Sequence, residues 1–239
     1  MLPLYAAVLD GCAPVSGARM LDVGCGSGMF CGAAQERGLV PAGIDAAEPL
    51  LAIARERFPG IRFDQGEMES LPYPDASFDL VTGNNSFQYA ADPVAALREA
   101  RRVMKPAGRL SIQVWGAAER CEMATYMAAL GSVLPPPPPG APGPFALSVP
   151  GALEALIERA GLVPERVADV DVVFDFADAA TALRALKASG PAIRAIRHAG
   201  EPAVTEAISK AMAPFQDADG HVRYHNQFRY LIARAATPS

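Results

Sequence analysis

The sequence predicts an α/β fold, a mostly parallel sheet wound on both faces by helices. Three observations carry this. Short apolar runs alternate with amphipathic segments in the order β-α-β-α-β-α-β-α-β between Arg19 and Trp115. A loop of alternating glycines, Gly24-Cys25-Gly26-Ser27-Gly28, joins the first run to the first helical pattern. With 239 residues, of which 51% are hydrophobic and 20% charged, the chain can bury a sizeable core and is globular in composition.

Pro3 to Gly11 reads as a short helix with Leu4, Ala7 and Val8 on one face. Met20 to Val23 is the first buried strand, and Met29 to Arg37 the first crossover helix, closed by Gly38. Between them, Gly24, Gly26 and Gly28 lack a Cβ, so the loop can turn sharply and admit a ligand close to the backbone at a helix N-terminus. Leu39 to Ile44 is the second strand, and it ends in Asp45, placed to accept hydrogen bonds from ribose hydroxyls, with Ala46 beside it. An Asp at that point also reads as a helix cap. Leu50, Ile53, Ala54 and Phe58 mark the next helix, and Ile61 to Gln65 the third strand.

Phe78 to Thr82 is the fourth strand, followed by Gly83-Asn84-Asn85-Ser86-Phe87-Gln88-Tyr89, a loop that parallel-sheet geometry puts at the ligand edge. Asn84 and Asn85 read equally as turn formers. Val94, Leu97, Ala100 and Met104 make a helix, Lys105 to Gly108 a type I turn, and Leu110 to Val114 a fifth strand with Trp115 at its end. Residues 117–134 look helical, and Pro135 to Pro139 form a stiff spacer. Leu153, Leu156, Ile157 and Ala160 give a helix closed by Gly161, Val167 to Phe176 a sixth strand, and 178–215 a helical stretch. Phe228 to Arg234 is the last strand, after a turn carrying His221, Tyr224 and His225.

The glycine spacing separates two ligand classes. A dinucleotide loop has the form G-x-G-x-x-G, but Met29 stands where its third glycine would be. The form found, D-x-G-x-G-x-G from Asp22, resembles motif I of the class I S-adenosylmethionine-dependent methyltransferases. The run Gly66-Glu67-Met68-Glu69-Ser70-Leu71-Pro72-Tyr73-Pro74-Asp75-Ala76-Ser77-Phe78-Asp79 resembles that family's G-D-x-x-x-L-P-F-x-D-x-S-F-D, with Glu67 in place of the usual Asp. The resemblance spans about residues 19–115 and is of the small-molecule, ubiquinone/menaquinone-biosynthesis kind. The loop after strand four lacks the N-P-P-Y pattern of enzymes acting on nucleic-acid bases.

The resemblance implies a Rossmann-like seven-stranded sheet whose last strand is antiparallel, with a helical cap insertion at about 178–215. It implies a single domain over 1–239: a cofactor-binding core at 1–115, a Pro-rich insertion at 116–150 and completion of the sheet by 151–239. It implies S-adenosylmethionine as cofactor and S-adenosylhomocysteine as product, held by Asp22, Gly24, Cys25, Gly26, Gly28, Asp45, Ala46, Glu67, Met68 and Asn84. Asn85, Phe87, Tyr89, Trp115 and Tyr224 are the expected acceptor contacts. His221 and His225 are the candidate bases, because histidine suits proton transfer near neutral pH. The alternatives are a nicotinamide-dependent oxidoreductase and a non-catalytic S-adenosylmethionine-binding protein.

A net charge of −5 argues against general phosphate-backbone binding, so no nucleic-acid partner is expected. No apolar run long enough to span a bilayer occurs, and Cys12, Cys25, Cys31 and Cys121 form no C-x-x-C pair, which suits a reduced cytoplasmic protein. His221 and His225 are spaced i, i+4 without a carboxylate cluster, so no metal is expected. The expected partner is a small-molecule methyl acceptor, and a homodimer is admitted.

Overall fold

The computed structural model describes residues 1–137 and 143–236, so part of the proline-rich spacer lies outside the described residues. The described elements are α1 (Leu2–Cys12), β1 (Arg19–Val23), α2 (Met29–Glu36), β2 (Val40–Asp45), α3 (Glu48–Arg57), β3 (Arg62–Gln65), β4 (Phe78–Asn84), α4 (Pro93–Val103), β5 (Met104–Trp115), α5 (Met123–Ser132), α6 (Ala152–Arg159), β6 (Leu162–Phe176), α7 (Ala179–Lys187), α8 (Gly190–Ala199), α9 (Glu201–Met212) and β7 (Val222–Ala235). Their order in the sheet is β3-β2-β1-β4-β5-β7-β6. β1 to β5 are parallel, and β7 runs antiparallel to β5. The order reverses between β1 and β4, and ligands of open parallel sheets bind outside the carboxyl ends at such a point.

The chain packs as two units, each discontinuous in sequence. The larger comprises Leu2–Trp115, Pro144–Val170 and Phe228–Ser239. On one sheet face, Leu21, Val23, Val81, Leu110 and Ile112 are buried in one cluster with Leu97 and Ala100 of α4 and Leu153 and Ile157 of α6. α4 begins where Asp92 caps it, its side chain accepting the N–H groups of Val94 and Ala95. Near α1, Tyr5 meets Phe30 of α2 edge to face at 5.0 Å.

The smaller unit comprises Met1, Gly116–Gly143 and Asp171–Gln227. Its core holds Tyr126, Leu186, Val204 and Ile208, and the Tyr126 hydroxyl donates to the Leu186 carbonyl at 2.9 Å. Buried Asn226 accepts the Met123 N–H at 3.0 Å, which satisfies the start of α5.

Two expectations need correction. Lys105 to Gly108 do not form a separate turn: they belong to β5, whose ladder with β4 slips from Phe78↔Met104 to Leu80↔Arg109, so the extra residues bulge out of register. The last strand starts at Val222, so Tyr224 and His225 lie in β7 and not on a turn. The period-2 pattern Val222, Tyr224, Asn226, Phe228, Tyr230 is all buried, and polar Asn226 breaks the apolar signal that would reveal it.

Candidate active site

An open cavity of about 230 Å³ lies at the carboxyl ends of four adjacent strands. Val23 and Gly24 end β1, Ile44, Asp45 and Ala46 end β2, Gly66, Glu67 and Met68 follow β3, and Asn85, Ser86 and Tyr89 follow β4. Gly24, Asp45, Ala46, Glu67 and Met68 were expected here for the cofactor. Asn85 and Tyr89, expected to meet the acceptor, line the same cavity.

The glycine loop is shaped by three left-handed residues, with φ 73° at Gly24, 53° at Gly26 and 77° at Gly28. Each glycine has a different second reason. A Cβ on Gly24 would stand 2.3 Å from the Ser86 Cβ, so the loops after β1 and β4 touch through that glycine. A Cβ on Gly28 would meet the Phe63 ring at 2.8 Å and Ala54 at 3.2 Å, so this glycine serves packing of α2 on β3 and α3. A Cβ on Gly26 would find only Leu50, at 3.9 Å, which leaves the loop's outer side open.

Much of the loop's backbone is already committed. Gly24 and Cys25 N–H donate to the Ile44 carbonyl at 2.8 and 3.0 Å, and Gly28 N–H to Cys25 at 3.0 Å. Gly26 N–H donates to Asp45 Oδ2 at 2.8 Å, while Asp45 Oδ1 takes the Ala47 N–H at the start of α3, also at 2.8 Å. Asp45 therefore holds the glycine loop and the turn that leads into α3, and each oxygen keeps a lone pair for a further donor. The Cys25 thiol is buried against Gly43, where a Cβ would approach its sulfur to 2.6 Å, and burial pushes its pKa upward. It fills space and is no nucleophile.

Asp22 lies beneath this surface, 1% exposed. Its Oδ1 accepts from Thr82 Oγ1 at 2.7 Å and Asn84 Nδ2 at 3.1 Å. Burial pushes its carboxyl up to about 7, against those two hydrogen bonds, which pull it down, and with the charge of Asp45 adding to the rise. The turn after β4 is held by Asn85, left-handed at φ 53°, and by Ser86, whose hydroxyl donates to the Val23 carbonyl at 2.6 Å. The loop after β3 is stapled by Arg102 of α4, which donates to the Tyr73 and Leu71 carbonyls at 2.8 and 2.9 Å. That holds the segment carrying Glu67 and Met68, with half-buried Met68 packed on the core.

Phe87, Trp115, Tyr224, His221 and His225 are not among the residues lining this cavity. Phe87 is fully buried in the core under Gly83, so it supports the loop and does not face a ligand; in the short 3₁₀ turn it points inward while Tyr89, 60% exposed, points out. Trp115 is buried and stacked on Phe228 with ring centroids 4.5 Å apart. Tyr224 is buried in the smaller unit, 4.5 Å from the Phe215 ring. His221 and His225 belong to that unit too: His221 Nδ1 pairs with Asp175 at 2.9 Å, and His225 Nδ1 with Glu122 at 3.1 Å. Asp175 is held below the usual carboxylate range by His221 and Arg223. Sequence reasoning missed Ser86, Gly66, Val23 and Ile44 as cavity residues. Ser86 had a signal, its place in the loop after β4; the other three are named only by the register of the strands.

Residues 21–112 match the methyltransferase domain family. This segment belongs to that family. The methyltransferase domain runs from Leu21 in β1 to Ile112 in β5 and so contains every residue lining the cavity. The chain is similar to the malonyl-[acyl-carrier protein] O-methyltransferase of Erwinia pyrifoliae, 30% identical over 183 residues, 77% of this chain and 66% of that protein. It is similar to the ubiquinone biosynthesis O-methyltransferase of Paracidovorax citrulli, 35% identical over 112 residues, 44% of this chain and 47% of that protein. The matched segments thus span less than two thirds of these relatives. A solved Bacillus halodurans C-125 structure assigned as a methyltransferase shares the fold at TM-score 0.64 and 17% identity, covering 98% of this chain and 99% of that one.

The domain implies S-adenosylmethionine as cofactor, and the residues present fit it. Asp45 keeps lone pairs that hydroxyl donors could fill, Met68 lines the cavity with an apolar side chain, and the outer side of Gly26 is sterically open. The Asn84 Oδ1 atom is buried without a partner, as an acceptor awaiting an ammonium would be.

Proposed function

We propose that the chain is an S-adenosylmethionine-dependent methyltransferase for a small-molecule acceptor. The domain match and the named relatives support that activity. The observation that carries the reading is Asp45, whose carboxylate is bonded to the Gly26 N–H at the edge of a cavity that also presents Glu67 and Met68. When bound, the cofactor supplies an electrophilic methyl on a sulfonium, a good leaving group that departs as S-adenosylhomocysteine.

The residues of the chain bind and orient. Asp45 takes the ribose hydroxyls, Glu67 the adenine amino group, Met68 the adenine face, and Asn84 Oδ1 the ammonium. Alignment of a nucleophile with the methyl then provides most of the acceleration. Both named relatives are O-methyltransferases, which favours an oxygen nucleophile. A protic oxygen needs a base, and His221 and His225 are the proposed ones. With Nδ1–H held by Asp175 or Glu122, Nε2 is the atom left to take a proton. Among the described residues no helix is long and apolar enough to cross a membrane, and four free thiols suit a reducing cytoplasm.

Calorimetry with S-adenosylmethionine and NAD tests the reading. The first binds and the second does not, and Asp45→Ala weakens binding by about 1.5–3 kcal/mol, as for a hydrogen-bonded charged group. Tight NAD binding with no heat from S-adenosylmethionine overturns it. Methyl turnover with a panel of acceptors separates an enzyme from a non-catalytic binder.

A further inference from the structure

Four loops bound the cavity at the carboxyl edge, and three junctions between them follow from strand adjacency. The loops after β4 and β1 meet where Ser86 Oγ donates to the Val23 carbonyl at 2.6 Å. Those after β1 and β2 meet where Gly26 N–H donates to Asp45 Oδ2 at 2.8 Å. The loop after β3 begins at Gly66, whose N–H donates to the Asp45 carbonyl at 3.1 Å. β3 and β4 are not neighbours: β2 and β1 stand between them, a separation of roughly 14 Å at the usual strand spacing. The loops after them meet nonetheless. Glu69 Oε1 accepts the N–H groups of Ala91 at 2.7 Å and Asp92 at 3.3 Å.

This contact joins two segments that carry cavity-lining side chains. Glu69 directly follows Glu67 and Met68, and Ala91 lies just beyond Tyr89; Glu67, Met68 and Tyr89 all line the cavity. Beyond the contact, both segments are anchored to α4. Leu71 N–H donates to Glu99 Oε2 at 2.9 Å, the Leu71 carbonyl accepts from Arg102, and Asp92 caps the start of that helix. A carboxylate oxygen that takes two backbone N–H groups makes charge-assisted bonds, which favours the joined arrangement. Glu69 is only half-buried, however, so these bonds lie within reach of water and open at lower cost than the strand ladder beneath them.

We propose that Glu69 is a clasp that retains the bound cofactor: it touches no ligand, and acts by holding the loops after β3 and β4 together at the cavity. The inference rests on the methyltransferase reading and deepens it by naming a positioning residue for the cofactor. With the clasp open, Met68 and Tyr89 can draw apart, and a ligand between them loses two walls at once. Joining the loops before the ligand arrives also removes an ordering cost from binding. Departure requires the loops to part, so loss of the clasp shows mainly in the dissociation rate.

The test uses the full chain, with surface plasmon resonance of S-adenosylhomocysteine binding and NMR hydrogen exchange of the Ala91 and Asp92 amides in the unliganded protein. Glu69→Ala should speed dissociation about tenfold, change association less than about threefold, and speed exchange at both amides. Glu69→Gln keeps an acceptor oxygen and should hold dissociation within about threefold of wild type. Glu69→Ser, too short to reach the two amides, serves if the alanine variant does not fold. A dissociation rate unchanged by Glu69→Ala, whatever happens to the melting midpoint, identifies Glu69 as a brace of the fold only and overturns the proposal. A glutamine variant that releases the probe as fast as the alanine one overturns it too, because an acceptor oxygen alone would then not suffice. Failure of the wild type to bind S-adenosylhomocysteine overturns the methyltransferase reading and the cofactor clasp with it, while amide exchange in the unliganded variants still reports whether Glu69 joins the two loops.

Discussion

Asp22 Oδ1 accepts a hydrogen bond from Asn84 Nδ2 at 3.1 Å, and this contact ties together the carboxyl ends of β1 and β4, the two strands between which the sheet order reverses. Asp22 thus organises the cavity from below. Its carboxyl is shielded from water, and the residue above it, Gly24, is the one that lines the cavity.

That burial has a pH signature. The Asp22 carboxyl titrates at about 7 in the fold because it is desolvated, against about 4 in an unfolded chain. Between those values the folded state holds a proton that the unfolded state has lost, so stability falls as pH rises. The contribution is fully present below the unfolded value and gone above the folded one. Relative to Asp22→Asn, the wild type should lose up to about 1.4 kcal/mol per pH unit between pH 5 and 7 and then level off. Urea unfolding of both proteins at pH 5, 6, 7 and 8 measures this, and parallel curves would contradict a proton held at Asp22.

The glycines of the loop should separate folding from binding. Gly24→Ala adds a Cβ 2.3 Å from Ser86 at φ 73°, and is expected to cost roughly 2–5 kcal/mol of stability from strain plus overpacking. Gly26→Val meets no atom nearer than Leu50, but φ 53° strains a β-branched residue by about 1–3 kcal/mol, so the fold should survive at lower stability while S-adenosylmethionine binding is abolished. Thermal melts paired with calorimetry distinguish the two, and a folded Gly26→Val that still binds would place the ligand away from this loop.

The histidines make a third case. If either acts as base, His221→Ala or His225→Ala lowers turnover of a hydroxylated acceptor by a factor on the order of 10² or more, with cofactor affinity unchanged. Each also pairs with a carboxylate, so a purely structural role would lower the melting temperature and spare the rate. Wild-type rates across pH 6 to 9 from both variants would remove histidine from the chemistry.

The sequence alone carried the parallel half of the fold. Local patterns are enough there, because each strand of a βαβ unit is an apolar run and each connection a helix with one apolar face, and the glycine loop and Asp45 sit at the junctions where the period changes. The family motifs added Glu67 and Met68. What the sequence could not give was which side chains share a rung. Asp22 reads as a ligand contact in the motif, yet strand register buries it under Thr82 and Asn84. Phe87 and Tyr89 are equally aromatic in the sequence, and only the 3₁₀ turn sends one into the core and the other outward. Tyr224 and His225 were misplaced on a turn because Asn226 interrupts the apolar alternation, and its burial depends on a backbone N–H of α5 more than a hundred residues earlier in the chain. Gln113 is the clearest instance: it reads as a polar residue in a strand, and only the pairing of β5 on both sides shows it buried, with its amide bonded to Ser111. Periodicity is a local property of the chain, whereas hydrogen-bond satisfaction is a property of the packed sheet, and the second cannot be read before the first has folded.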